Sequence, residues 1–101
     1  MSILPHLPLP SERATELADI LKGVAHPLRL RIVSLLCEQE HTVTELTEKL
    51  GARQSLVSQH LAPLRMLGLV QVDRSGGRAT YSLAEPRLRT LVDCLLGCRR
   101  G

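Results

Sequence analysis

Apolar residues recur every three or four positions along most of the chain, the spacing that places side chains on one face of an α-helix. Ser11 offers an N-cap to a first helix, which ends at Gly23 and the His26–Pro27 step. Pro27 suits the first position of a second helix, because its missing N–H would be unpaired there, and that helix runs to about Gln39. The pattern therefore predicts two successive helices.

A second pair of helices follows after a very short turn. Thr42 to Glu45 reads as a capping box, so a third helix begins near Val43, and Gly51 ends it. Only Ala52 to Gln54 intervene before a new helical pattern, which Gly68 closes. Two helices joined in this way, with a glycine at the end of the first, predict a helix-turn-helix.

The spacing then changes from helical to extended. Leu69 to Asp73 and Arg78 to Leu83 flank a Ser-Gly-Gly turn and predict a β-hairpin. A last helix starts at Pro86. We predict a mainly α fold with a small β-hairpin (α+β), a winged helix-turn-helix in the order α-α-α-α-β-β-α. We expect residues 1–10 to be a flexible N-terminal arm and residues 11–101 to form a single domain.

Composition narrows the class of protein. The chain has 101 residues, 44% of them hydrophobic, with 21 leucines, no Phe, no Trp and one tyrosine, Tyr81. This is too apolar for a disordered tail and too interrupted for a membrane span, and no secretion signal is visible, so a cytoplasmic location is expected. The scarcity of aromatics argues against a stacking surface for single-stranded nucleic acid. Three cysteines without a CxxC pair argue against a disulfide framework and a zinc finger.

Charge is distributed unevenly and favours arginine, 11 Arg against 2 Lys. Residues 38–49 carry a net charge of −3 (four Glu, one Lys), and residues 53–80 carry +3 (four Arg, one Asp). A basic half with forked guanidinium groups fits a polyanion partner, although a merely solvated arginine-rich surface has the same composition. The polar side of the fourth helix could bring glutamine and serine to base edges, and arginines flank the hairpin tip.

Several motifs in order and spacing resemble the ArsR/SmtB family of bacterial winged-helix repressors, over roughly Leu17 to Leu96. They are Ala25 to Ile32, Thr44-Glu45-Leu46, Val57 to Arg65 with Gly68-Leu69-Val70, and Gly77-Arg78 with Tyr81-Ser82-Leu83.

The resemblance implies that residues 11–101 are a winged helix-turn-helix domain for DNA binding and dimerisation. It implies a homodimer built from the first and last helices, which binds a palindromic double-stranded DNA operator and is released by an inducer. No membrane partner is expected. The implied DNA-binding residues are Arg53, Gln54, Ser55, Ser58, Gln59, His60, Arg74 and Arg78. The dimer interface is expected to include Leu17, Leu21, Leu88, Leu91 and Leu95.

Two residues depart from the family pattern. Arg53 replaces the usual Ser or Thr before the reading helix, which removes a cap worth about 1 kcal/mol. Pro63 lies inside that helix and removes the hydrogen bond to the Gln59 carbonyl, so a slight bend is expected there.

The inducer is the least specified feature. Thr42 and Thr44 stand where family members carry metal-binding cysteine, and Arg87 and Gly101 replace ligands of the zinc site that involves the last helix. No cofactor is required for DNA binding. Three alternatives remain for Cys37, Cys94 and Cys98: small buried hydrophobes, a thiol redox or sulfide switch, or a site for a metalloid such as arsenite or for a soft metal.

A DNA-binding repressor is the first functional hypothesis. The alternative is a winged-helix module that binds protein and senses no inducer, and salt-dependent duplex binding separates the two. An enzyme is not expected, because no nucleophile–base set, paired carboxylates or glycine-rich phosphate loop is visible.

Overall fold

The computed structural model describes residues 8–97, in which the predicted helices and hairpin are present and a short additional strand joins them. The helix-turn-helix consists of the third and fourth helices, and the hairpin follows it directly. In chain order the elements are α1 (Ser11–Val24), α2 (Pro27–Glu38), β1 (His41–Thr42), α3 (Val43–Leu50), α4 (Gln54–Met66), β2 (Val70–Asp73), β3 (Thr80–Leu83) and α5 (Pro86–Leu96).

The ends of α3 follow the local sequence closely. The Thr42 hydroxyl accepts from the Glu45 N–H at 3.1 Å, and the Glu45 carboxylate accepts from the Thr42 N–H at 2.9 Å, so the capping box is confirmed. Gly51 ends the helix with a φ of 64°, the left-handed conformation that favours glycine. Local hydrogen bonding thus fixes the helix that precedes the turn.

The predicted cap of α1 is wrong by one residue. Ser11 is the first helical residue, and Pro10 occupies the cap position without a side-chain hydrogen bond. Arg53, as expected from its side chain, precedes α4 without capping it. α4 continues through Pro63 to Met66.

The hairpin belongs to a three-stranded antiparallel sheet in the order β1-β3-β2. Val70 pairs with Leu83 and Asp73 with Thr80, while the unpredicted β1 pairs His41 with Tyr81 on the other side of β3. At the tip, the Asp73 carboxylate accepts from the Ser75 N–H at 2.9 Å and from its hydroxyl at 2.7 Å. These two bonds lower the pKa of Asp73 and close the turn.

The hydrophobic core is centred on α2, which contacts the other four helices and β3. Ile32 and Val33 of α2 are fully buried, as are Leu46 of α3 and Leu64 of α4. Leu88 of α5 is also fully buried, at 0% exposure. Its predicted place in a dimer interface is therefore wrong, because its side chain packs within its own chain. None of the helices described is both long and apolar enough to cross a membrane.

Candidate nucleic-acid interface

One groove gathers polar and basic side chains from α3, α4 and the hairpin. Gln54 and Ser58, one turn apart on α4, form one wall, and Arg74 and Arg78 at the hairpin form the other. The start of α3, from Thr42 to Glu45, closes the groove, whose volume is about 660 Å³. The structure thus brings together four of the predicted DNA-binding residues from two separate segments.

The adjacent side of α4 presents the other predicted residues. Arg53, Ser55 and Gln59 are exposed around a shallow depression of about 350 Å³. Leu56 lines the same depression and is 40% exposed, so this surface is not purely polar. The buried face of the helix, with Val57 and Leu61, packs on the core.

His60 has surroundings different from those of the other predicted DNA-binding residues. It is half-buried, and its Nδ1 accepts a hydrogen bond from Arg29 Nε at 3.1 Å. Its ring lies against His26, with 4.4 Å between the ring centroids. Partial burial, with smaller effects of His26 and Arg29, lowers the pKa of His60. The His60 side chain is therefore engaged inside the protein.

Glu45 is a groove residue that sequence reasoning assigned only to a helix cap. The backbone hydrogen bond from Thr42 is the main cause that lowers the pKa of Glu45, and nearby charges including Arg78 lower it further. The carboxylate therefore stays ionised at the edge of the groove. It places one negative charge opposite the hairpin arginines, and the capping box itself was the signal that could have located it.

The predicted dimer leucines, apart from Leu88, line two apolar depressions on either side of α5. Leu17, Leu21 and Leu91 surround one of about 440 Å³ between α1 and α5. Leu95 lines another of about 310 Å³, together with Leu30 of α2. Leu21 is 53% exposed and Leu95 is 61% exposed, so each presents apolar surface to its surroundings.

The two described cysteines lie in different surroundings, and Cys98 lies outside the described residues. Cys37, at the end of α2, is half-buried, and its carbonyl accepts a hydrogen bond from Arg89. Burial raises the pKa of the Cys37 thiol, and Arg89 only partly offsets this effect. Cys94 is exposed and lines the depression between α1 and α5.

Carboxylates near the start of α5 are engaged by arginine. Arg87 bonds to Glu85 at 2.8 Å and to Glu16 of α1 at 3.0 Å. The hydrogen bonds from the Arg87 side chain and backbone lower the pKa of Glu85 to about 2. Within residues 8–97 no three His, Cys, Asp or Glu side chains are grouped so as to hold a metal ion.

Comparison with known sequences gives consistent matches. Residues 26–72 match the family described as bacterial regulatory protein, arsR family. The chain is 42% identical over 91 residues to the biofilm growth-associated repressor of Agrobacterium fabrum, which covers 88% of this chain and 78% of that protein. It is also 42% identical over 89 residues to the HTH-type transcriptional regulator NmtR of Mycobacterium tuberculosis, with 88% and 74% covered.

Solved structures match over most of the chain. The transcriptional repressor BigR from Xylella fastidiosa superposes with a TM-score of 0.82 and 38% identity, covering 87% of this chain and 90% of that chain. HlyU from Vibrio cholerae superposes with a TM-score of 0.80 and 31% identity, covering 85% and 94%. The likeness therefore extends through the helix-turn-helix, the hairpin and the flanking helices.

Proposed function

The chain belongs to the ArsR family of bacterial regulatory proteins, and from this premise we propose that it binds a palindromic operator as a homodimer and leaves it when an inducer is sensed. Members of this family and the relatives above are DNA-binding transcriptional regulators. The chain is accordingly a transcriptional repressor and not an enzyme. The proposal concerns which residues bind the duplex, how two chains associate and what releases them.

The observation that carries the proposal is the groove in which Gln54 and Ser58 of α4 face Arg74 and Arg78 of the hairpin. A helix of this kind fits the major groove of B-DNA, where glutamine pairs with adenine and serine bonds to several bases. The hairpin arginines would contact phosphates or the adjacent minor groove. Arg53, Ser55 and Gln59 extend the same DNA-binding surface along α4.

Apolar surface on α1 and α5 supports the homodimer. Leu21 and Leu95 are both more than half exposed, and the depression beside Leu17 and Leu91 is lined mainly by apolar side chains. A second copy would remove these groups from water at about 25 cal/mol per Å² of apolar surface. Two copies related by a twofold axis would place two α4 helices about one helical turn of DNA apart.

Thiol chemistry is the proposed route of induction, through an oxidant, sulfide, arsenite or a soft metal. Cys94 is the best placed of the described cysteines, because it is exposed and lines the depression with Leu17 and Leu91. Adding a polar or bulky group to this thiol would disturb the proposed dimer surface. Cys37 is less reactive by its environment, since burial raises its pKa and disfavours the thiolate.

Duplex binding tests the DNA-binding surface. Selection from a random duplex pool on the wild-type protein supplies an operator, and a shuffled duplex of the same composition supplies the non-specific reference. Ser58→Ala and Gln59→Ala should each weaken operator binding more than binding to the shuffled duplex. Equal losses on both duplexes would show that the reading face is assigned wrongly. A duplex affinity that changes neither with salt concentration nor with duplex sequence would favour the alternative of a protein-binding module.

A triple variant tests the sensor. Cys37→Ser, Cys94→Ser and Cys98→Ser are combined, and operator release is measured with an oxidant, polysulfide, arsenite and zinc. If the thiols are the sensor, the agent should release the wild-type protein from the operator and leave the triple variant bound. Release of the cysteine-free variant by the same agent would exclude the thiols as its sensor, and Cys94→Ser alone would show whether the exposed thiol suffices.

A further inference from the structure

Arg29 of α2 connects the last turn of α1 to the middle of α4. Its Nε donates to His60 Nδ1 at 3.1 Å, and its Nη1 donates to the Gly23 carbonyl at 3.2 Å. Both bonds are partly buried, and the planar guanidinium holds its donors in a fixed geometry. Arg29 thereby fixes the distance between the Gly23 carbonyl of α1 and the His60 ring of α4.

In both imidazoles the hydrogen-bond partner shows that Nδ1 is the accepting nitrogen. A guanidinium can only donate, so His60 Nδ1 is an acceptor, and the neutral ring carries its proton on Nε2. His26 Nδ1 likewise accepts, from the Leu28 N–H at 3.0 Å, and caps α2.

The last turn of α1 also contacts the segment that follows α4. Gly23 is buried, and a Cβ at this position would lie 2.8 Å from Cδ1 of Leu67 and 2.8 Å from Cδ1 of Leu69. Only glycine lets the helix approach so closely without displacing these side chains. The end of α1 is thus held against α4 through Arg29 and against the residues after α4 by direct packing.

We propose that His60 is a positioning residue for the reading helix: in its neutral form it accepts the Arg29 N–H and fixes α4 against α1, and its protonation breaks this contact and lowers specific operator affinity. The inference rests on the proposed function, in which α4 reads the duplex. The Arg29 contacts also connect the proposed dimer helix α1 to the proposed DNA-binding helix α4, because Gly23, which Arg29 contacts, lies two residues after the proposed dimer residue Leu21.

The charges around His60 determine the direction of the pH effect. The groups that face it are the Arg29 guanidinium of α2 and the His26 imidazole that precedes α2. In the part of the chain that the structure describes, no charged side chain of α1, α3 or β2 contributes to the shift in the His60 pKa. Partial burial and these neighbours lower that pKa, so neutral His60 predominates near pH 7.

Three variants of the full chain separate positioning from general stability. His60→Ala removes the acceptor, whereas His60→Asn keeps an oxygen acceptor for Arg29 and does not titrate in this range. Met66→Ala is the matched control, because Met66 lies on the same helix and is 88% exposed. Binding to the selected operator and to the shuffled duplex is measured at about pH 7.5 and about pH 4.5, the lower value lying well below the ordinary histidine pKa because the pKa of His60 is lowered. Thermal unfolding of each variant is recorded in the same buffers.

The proposal predicts that His60→Ala loses about fivefold in operator affinity at the higher pH, as for one hydrogen bond, with binding to the shuffled duplex unchanged. His60→Asn should restore that affinity toward the wild-type value. On acidification the specific-to-non-specific ratio should fall for the wild type and stay constant for His60→Asn.

Equal losses on both duplexes, or the same pH profile for wild type and His60→Asn, would overturn the positioning role. Absence of salt-dependent duplex binding by the wild type would instead contradict the proposed function.

Discussion

Replacing Arg78 by alanine tests the contribution of the hairpin to duplex binding. Arg78 is exposed at the edge of the groove opposite Gln54 and Ser58, and it has no salt-bridge partner within 4.0 Å among residues 8–97. Removing this guanidinium should therefore leave the fold intact. It should remove one phosphate contact from each chain of the bound dimer.

The size of the effect follows from the salt dependence of counterion release. Arg53, Arg74 and Arg78 are the exposed arginines of the proposed DNA-binding surface, which makes six in the proposed dimer. Six phosphate contacts give a slope of log K against log salt of about −5.4, and removing two of them leaves about −3.6. Between about 50 and 200 mM salt, the wild type should lose about three decades in affinity and the variant about two.

The assay is fluorescence anisotropy of a labelled operator duplex, titrated at several salt concentrations. Arg13→Ala is the matched control, since it also removes one exposed arginine, on α1 and outside the groove, where its partner is Glu16 at 3.6 Å. The control should keep the wild-type slope. An unchanged slope for Arg78→Ala would refute the placement of the hairpin against the duplex.

Three further predictions concern stability and assembly. Thr42→Ala should lower the free energy of unfolding by about 1 kcal/mol in urea, because the capping box is lost, and Thr42→Ser should recover most of it. Leu88→Ala should lower the free energy of unfolding by about 2–5 kcal/mol, because Leu88 is buried within its own chain. Leu95→Ala should leave that free energy nearly unchanged and raise the dimer dissociation constant measured by sedimentation. If Leu95→Ala destabilised the chain and Leu88→Ala weakened only the dimer, the two surfaces would be assigned wrongly. The pKa of Glu85 is lowered on folding, so its stabilisation is complete above about pH 4.5 and lost as the pH falls toward 2. Arg87→Ala should make the free energy of unfolding less dependent on pH in this range. A pH dependence parallel to that of the wild type would refute the pairing of Arg87 with Glu85.

Structure that is determined by neighbouring residues is predictable from the sequence. The capping box at Thr42 and the left-handed Gly51 are local devices, and both lie where the pattern predicts them. Helical spacing also identified Leu88 and Leu95 as apolar positions of α5. It could not tell which of them faces the core, because that depends on how α5 packs against α2.

The unpredicted features depend on residues far apart in the chain. β1 has only two residues, too few for any alternation to show, and its pairing partner lies on β3. The surroundings of His60 depend on Arg29, which is 31 positions away. A polar residue on a polar helix face predicts DNA contact, whereas the packing of α2 against α4 engages the His60 side chain with Arg29.

The pairing of β1 with β3 has a consequence for folding kinetics. His41 and Tyr81 are 40 positions apart, whereas β2 and β3 are joined by a short turn. Closing the longer loop costs more chain entropy, so the hairpin can form early, while β1 adds only after the helix-turn-helix is in place. Amide exchange should therefore show the β1–β3 hydrogen bonds as the last to gain protection during refolding. Protection of β1, the strand that pairs with β3 and precedes α3, would then mark the last step in forming the native sheet.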